Sequence, residues 1–400
     1  MTALARPEID LLAGSFFAGD PFPAFAWMRA NAPLYFDEAN DVWGVASHQL
    51  VKAMGSDPKT FSNAGGHRPK FPALPMMVDM DAPEHTRHRK IVSAGFTPRR
   101  IAELTSHVRA VCDDVIDTVC EQGSCDFVRD IAAPLPLNMI GDLLGVPIAD
   151  RPELLHWSET MLGSQGSSEP TALEAATYAF GEYFQYMQPV FEDRLARGVT
   201  DDLVGILVHA EVDGERLDPE SLVMESLLLL IGGDETTRHV LSGGMLELQR
   251  HPAQLATLLE DQSLLPTAVE EMLRWVTPIK DMVRTTTRDV TIDGVDIPEE
   301  SELMLLYPSA NRDESVFDSP ETFDITRDPN PHVAFGFGSH FCLGNQLARI
   351  ELRVMFEQLL TRLPDLRLAT DGPYSYRESN FISGIEAMPV TFTPKERIRR

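Results

Sequence analysis

Cationic side chains are scarce in this sequence. Thirty-four Lys and Arg stand against 61 Asp and Glu, giving a formal net charge of −27. Such a field repels a phosphate backbone and excludes nucleic acid as a main partner. Cysteine is scarcer still, with 4 in 400 residues and no C-x-x-C pair. That excludes a disulfide-stapled secreted scaffold and a zinc ribbon. No apolar run approaches the ~20 residues of a membrane helix. The N-terminal stretch MTALARPEIDLLAGSFF is interrupted by acids, unlike a secretory leader. A soluble, cytoplasmic protein with no membrane span is expected. Repeats, charge blocks and low-complexity linkers are also missing, so residues 1–400 read as a single domain. With 43% hydrophobic residues, a chain this long can bury a large core without staples.

What is present is helical periodicity. Apolar residues recur at i, i+3, i+4 over 99–122, 139–145, 171–197, 221–250, 254–275 and 345–363. Strand patterns are fewer: a hairpin over 33–47 around Asn40-Asp41, a second over 289–305 with Gly294 at its turn, and the C-terminal FISGIEAMPVTF. The expected fold is mainly α with a minor β part. The Gly/Ser-rich stretch 163–168 reads as a loop between helices, suited to a lid.

The chemistry concentrates at FGFGSHFCLG, residues 335–344. Cys342 sits among glycines, just ahead of the amphipathic stretch NQLARIELRVMFEQLL. Glycine lets backbone approach a flat object closely. A helix N-terminus aimed at sulfur favours the thiolate, a strongly donating soft metal ligand. Cys112, Cys120 and Cys125 lack such a setting and read as buried hydrophobes.

The pattern F-G-x-G-x-H-x-C-x-G resembles the signature of the cytochrome P-450 haem-thiolate monooxygenases. The resemblance makes Cys342 the axial ligand of a haem b iron, with Phe335 and Gly233 among the cofactor contacts. A thiolate ligand favours O–O cleavage. Ile231–Thr237 (IGGDETT) looks like the family's oxygen-binding groove on a long central helix. There Thr236 would hydrogen-bond dioxygen and Glu235 would relay protons, as general acid chemistry requires. Asp234 is a third carboxylate that fits such a relay. Glu271 and Arg274 match the family's E-x-x-R, with Arg327 as a third member, and read as structural. Haem brings two propionates that need cations or donors. His85 and Arg89, one helical turn apart, match the family's propionate-binding H-x-x-x-R, and Arg284 and His340 occupy two further propionate positions. Asp81 is expected to N-cap the helix that carries them, with Pro83 in its first turn and Glu84 completing a capping box.

Stretch 85–100 holds five Lys/Arg and no acid. Arg87, Lys90, Arg99 and Arg100 form a candidate docking patch for an acidic donor. No fused flavin reductase fits beside a haem domain in this length, so electrons are expected from a ferredoxin and its reductase.

The expected substrate walls are apolar: Leu74 to Val78 (LPMMV), Leu230-Ile231, Ile279 with Met282, and Phe381-Ile382, with Met76, Val78, Ile231, Ile279, Phe381 and Ile382 as the contacts. SNAGG at 62–66, PALPMMVDMD at 72–81 and SGIEAMPV at 383–390 are similar to one group within the family, the mycobacterial cholesterol side-chain hydroxylases. That resemblance implies a hydrophobic sterol substrate, cholesterol or cholest-4-en-3-one, oxidised at its terminal methyl (carbon-26). Two alternatives stay open. One is a hydroxylase of fatty acids or terpenes, with Lys280 as the only cation near the walls. The other is a non-catalytic haem-binding sensor, which would not need Glu235 and Thr236.

Overall fold

The computed structural model describes residues 6–164, 170–198, 202–212 and 214–398. Helices dominate. The longest, Pro219–Arg250, is the central helix, and at ~1.5 Å per residue it runs ~48 Å. Asp218 starts it by accepting the Ser221 N–H at 2.8 Å, and Pro219 fills the first position, where no N–H is needed. His251-Pro252 ends it. Its length packs against Pro134–Leu143, Leu265–Val276 and the cysteine helix, Asn345–Arg362. A large apolar core fills the space between them.

The main sheet has five strands in the order 34–37, 42–45, 302–306, 281–286, 61–62. The first two form the expected hairpin, with Asp41 left-handed in the loop. The hairpin 290–292/295–297 turns on Asp293 and Gly294, both at positive φ, as a twist-matched two-residue turn requires.

Three expectations need correction. The periodic stretch 254–275 is two helices, Pro252–Glu260 and Leu265–Val276, because Asp261 turns back to cap the Ser263 N–H. Likewise 99–122 splits into Pro98–Glu103 and Thr105–Val119. Of FISGIEAMPVTF only Pro389–Thr391 is a strand. The earlier part makes single bridges, Ile279 with Ile382 and Tyr376 with Ile385. Of the expected 163–168 loop, Gly163 and Ser164 end the helix Arg151–Ser164, and 165–168 lie outside the described residues.

The Glu271–Arg274–Arg327 trio forms. Glu271 and Arg274 are fully buried and joined by two 2.7 Å bonds. Glu271 also accepts from Arg327 Nε, Asn330 Nδ2 and the Asp324 N–H. Arg274 spends its other donors on the carbonyls of Asn311, Pro320 and Thr322. This pins the irregular segment 311–330, which leads into the cysteine loop.

Removing the carboxylate strands two guanidiniums. Glu271→Ala is expected to lose about 3–5 kcal/mol of stability in urea unfolding. A loss below about 1 kcal/mol, the scale of an exposed pair, would show the network to be dispensable.

Candidate functional site

The cysteine loop needs its glycines. Gly336 and Gly338 have φ of 68° and 78°, a region costly for other residues. A Cβ on Gly338 would stand 1.9 Å from the Gly55 carbonyl oxygen. The chain then turns so that the Cys342 N–H bonds the Phe335 carbonyl at 2.9 Å, and the cysteine helix starts three residues later. Burial pushes the Cys342 thiol up. The N–H groups of Gly344 and Asn345 and the guanidiniums of Arg89 and Arg349 pull the other way.

Cys342 lines a cavity of about 1550 Å³, counting the space at its open mouth. The central helix forms one wall through Leu229, Gly232, Gly233, Thr236, Thr237 and Val240. Thr236 Oγ1 donates to the Gly232 carbonyl at 2.9 Å. Open space stands where a Gly232 Cβ would be, whereas a Gly233 Cβ would press on Ile140 at 3.2 Å. The groove therefore owes its gap to Gly232, and Gly233 owes its size to helix packing.

His85, Arg89, Arg284 and His340 converge on the cavity together with Phe335. The His85 and His340 rings stack at 3.9 Å. Burial first, then the neighbouring His85, Arg284 and Arg89, push His340 down to about 2. His85 Nε2 is buried without a partner, and Arg284 bonds only the Val283 carbonyl among the contacts described. Donors left unspent in a chain of net −27 call for an anion. A thiol, open space beside Gly232 and four convergent side chains able to donate fit a haem with its propionates.

The helix bearing His85 and Arg89, Glu84–Ser93, is not capped by Asp81. Pro83 takes the cap position, and Asp81 instead accepts Ser62 Oγ at 2.5 Å and the Asn63 N–H at 3.0 Å.

Glu235 does not reach the cavity in this conformation. It is fully buried and bonded to Arg238 at 2.5 Å and Arg377 at 2.8 Å. Burial alone would raise it, but His239, Arg238 and Arg377 outweigh burial and hold it near 2. Each arginine also pairs with an outer acid, Arg238 with Glu159 and Arg377 with Glu386.

The expected substrate walls divide. Val78, Ile279 and Met282 line the cavity; Met76, Leu230, Ile231, Phe381 and Ile382 do not. Phe381 and Ile382 pack with Leu162 against Ile231, Ile279 and Met282, one layer behind. Met77 takes the place given to Met76, because the turn Met77–Asp79 presents the next side chain. Leu228, Leu229 and Val240 were missed. Helical spacing from Thr236 reaches Leu229, Gly232 and Val240 and leaves Ile231 off the stripe. Lys280 is not in the cavity; its ammonium donates to the Val276 and Thr277 carbonyls. In the basic stretch, Arg87 pairs with Glu215 and Arg99 with Glu103, while Lys90 is exposed.

Two carboxyls near the groove take up protons more readily than exposed ones do. Burial pushes Glu351, a cavity residue, up to about 8, with the Asp234 charge adding to the rise and the Thr237 hydroxyl opposing it. Burial first, then the Glu235 charge, push Asp234 up to about 7. Unfolded carboxyls titrate near 4. Stability from these groups is thus fully present below about pH 4 and lost as pH rises through about 7 to 8. The urea midpoint is expected to fall between about pH 5 and about pH 8, and Glu351→Gln to flatten that fall. An unchanged slope in the variant would refute the assignment.

Comparison with known proteins agrees with this geometry. The profile of a family described as Cytochrome P450 matches residues 169–364. The chain is 49% identical to a steroid C26-monooxygenase of Mycolicibacterium smegmatis, covering 98% of each chain. It is 51% identical to a steroid C26-monooxygenase of Mycobacterium tuberculosis, over 97% of this chain and 98% of that one. The fold is similar to that of P450BioI, crystallised with a fatty-acyl carrier protein, with a TM-score of 0.88, 31% identity, and coverage of 95% of this chain and 99% of that one. Among the described residues no helix is long and apolar enough to cross a membrane. On relatives this similar over nearly their whole length, the chain belongs to the cytochrome P450 family, haem-dependent monooxygenases.

Proposed function

We propose that this protein hydroxylates the terminal methyl carbon of a steroid side chain, as in cholesterol or cholest-4-en-3-one, and oxidises the product further. The observation that carries the reading is the near-full-length identity to two steroid C26-monooxygenases. Haem held through a thiolate supplies the dioxygen activation.

The chain's own residues do the rest. Cys342 would hold the iron, and His85, Arg89, Arg284 and His340 would bind the propionates, with Phe335 of the cysteine loop lining the same cavity. Met77, Val78, Leu228, Leu229, Ile279 and Met282 exclude water and grip an apolar molecule, the methionines adapting to its outline. Ile231, Phe381 and Ile382 shape that wall from behind. Thr236 offers a hydroxyl to the Gly232 gap, and Glu235 replaces its proton. While pinned by two guanidiniums Glu235 stays ionised, so it carries a proton only after turning away from them. Glu159 and Glu386 then keep Arg238 and Arg377 paired, which makes the turn affordable. A fatty-acid substrate would want a fixed cation in the pocket, and Lys280 is spent on carbonyls.

We place the electron donor, a ferredoxin served by its reductase, on the face with Lys90 and the exposed Phe341. The chain acts as one domain in the cytoplasm.

The test is a spectral titration of the ferric protein with cholest-4-en-3-one. A low-spin to high-spin shift is expected. A shift with a fatty acid but not with the sterol would overturn the substrate. Thr236→Ala is expected to keep haem and sterol affinity while electrons drain to peroxide. Equal product per electron in that variant would remove Thr236 from its role.

A further inference from the structure

The wall that carries Met77 and Val78 is not part of any sheet. From Phe71 to Asp81 it is irregular but for the turn Met77–Asp79, so no ladder sets its height over the cavity. Its backbone hangs instead from side chains. Asp79 accepts the Leu74 N–H and His67 Nδ1, both at 2.8 Å. Asn63 Nδ2 donates to the Val78 carbonyl at 3.3 Å.

The strongest tether comes from the central helix. Glu225, two turns before Gly232, is fully buried. Its Oε1 accepts the Met77 N–H at 2.8 Å and His88 Nδ1 at 2.7 Å. Its Oε2 is buried with no partner. An apolar residue would sit at this depth at no cost, whereas a carboxylate with one idle oxygen is expensive there. Such a residue has to be holding something, and what it holds is the amide that precedes the cavity-lining side chains. His88 lies on the same helix as His85 and Arg89. One carboxylate therefore ties together the oxygen groove, the anion clamp and the distal wall.

We infer that Glu225 is a positioning residue for substrate selection: it fixes the height of the Met77–Val78 wall, and so decides whether a long, rigid molecule fits over the groove. The inference rests on the steroid reading only for its choice of probe.

The experiment compares holoenzyme of the wild type and Glu225→Gln, titrated with cholest-4-en-3-one and with imidazole, a small ligand that needs only the iron. Glutamine keeps the shape and removes the charge. Sterol affinity is expected to weaken about tenfold, the factor for losing one charge-assisted hydrogen bond. Imidazole affinity and haem content are expected to hold. A merely structural Glu225 would weaken both ligands alike, and that result, or no change in either, would overturn the inference. Amide hydrogen exchange of the wild type is the second measurement, which stands even if the variant yields no holoprotein. Slow exchange at Met77 is expected; exchange as fast as in an exposed loop would overturn the inference. If the wild type ignores the sterol, the substrate proposal fails alone, and hexadecanoic acid replaces the sterol in the same comparison.

Discussion

Glu271 receives donors from Arg274, Arg327, Asn330 and the backbone of Asp324, all at the end of one helix. The segment it gathers has almost no regular structure of its own. That segment runs directly into residues 335–344, which present Cys342. A flexible run of this length would otherwise carry a large conformational entropy. Buried ion pairs rarely stabilise a protein more than apolar packing would. Their use here is geometric: every donor has a direction, so the loop beyond them has one shape. The position of the thiol follows from a carboxylate far from any substrate.

The cavity shows a division of labour between its faces. The side near the cysteine loop gathers cations that a chain of net −27 has few of. The distal side is apolar and hung from buried acids. Histidines recur at both boundaries. His85 and His340 face the anion clamp, while His67 and His88 hold carboxylates behind the wall. The carboxyls beside the groove are split in the same spirit. Glu235 is held low by His239 and two arginines, while burial pushes Asp234, its neighbour in sequence, up to about 7.

Much of this was legible in the residues. Cys342, the Gly232-Gly233 step and the H-x-x-x-R and E-x-x-R pairs are short-range patterns, and helical geometry alone fixes how their side chains share a face. The long helices were legible for the same reason, except where two periodic stretches broke, at Asp261 and at Leu104. The apolar wall of the cavity was not. Met76 and Met77 are chemically identical neighbours, and a turn chooses between them. Phe381 and Ile382 read as pocket residues from their apolarity, but a layer of Ile279 and Met282 stands in front. Lys280 read as a pocket cation, yet the carbonyls at the end of Leu265–Val276 claim it. Glu225 carries no motif at all, because its partner is a backbone amide 148 residues away in the chain.

The near-contact of Gly338 with Gly55 also bears on how such a protein can change over time. Two stretches of backbone meet there, so residue 338 cannot gain a side chain unless the Gly55 carbonyl moves with it. Any lineage built on this architecture inherits that seam as a frozen feature. Innovation is left to the irregular wall on the opposite side, where a few tethers can be rewired one at a time. Diversity of substrate and constancy of chemistry would then be two outcomes of one asymmetry in how the chain is held.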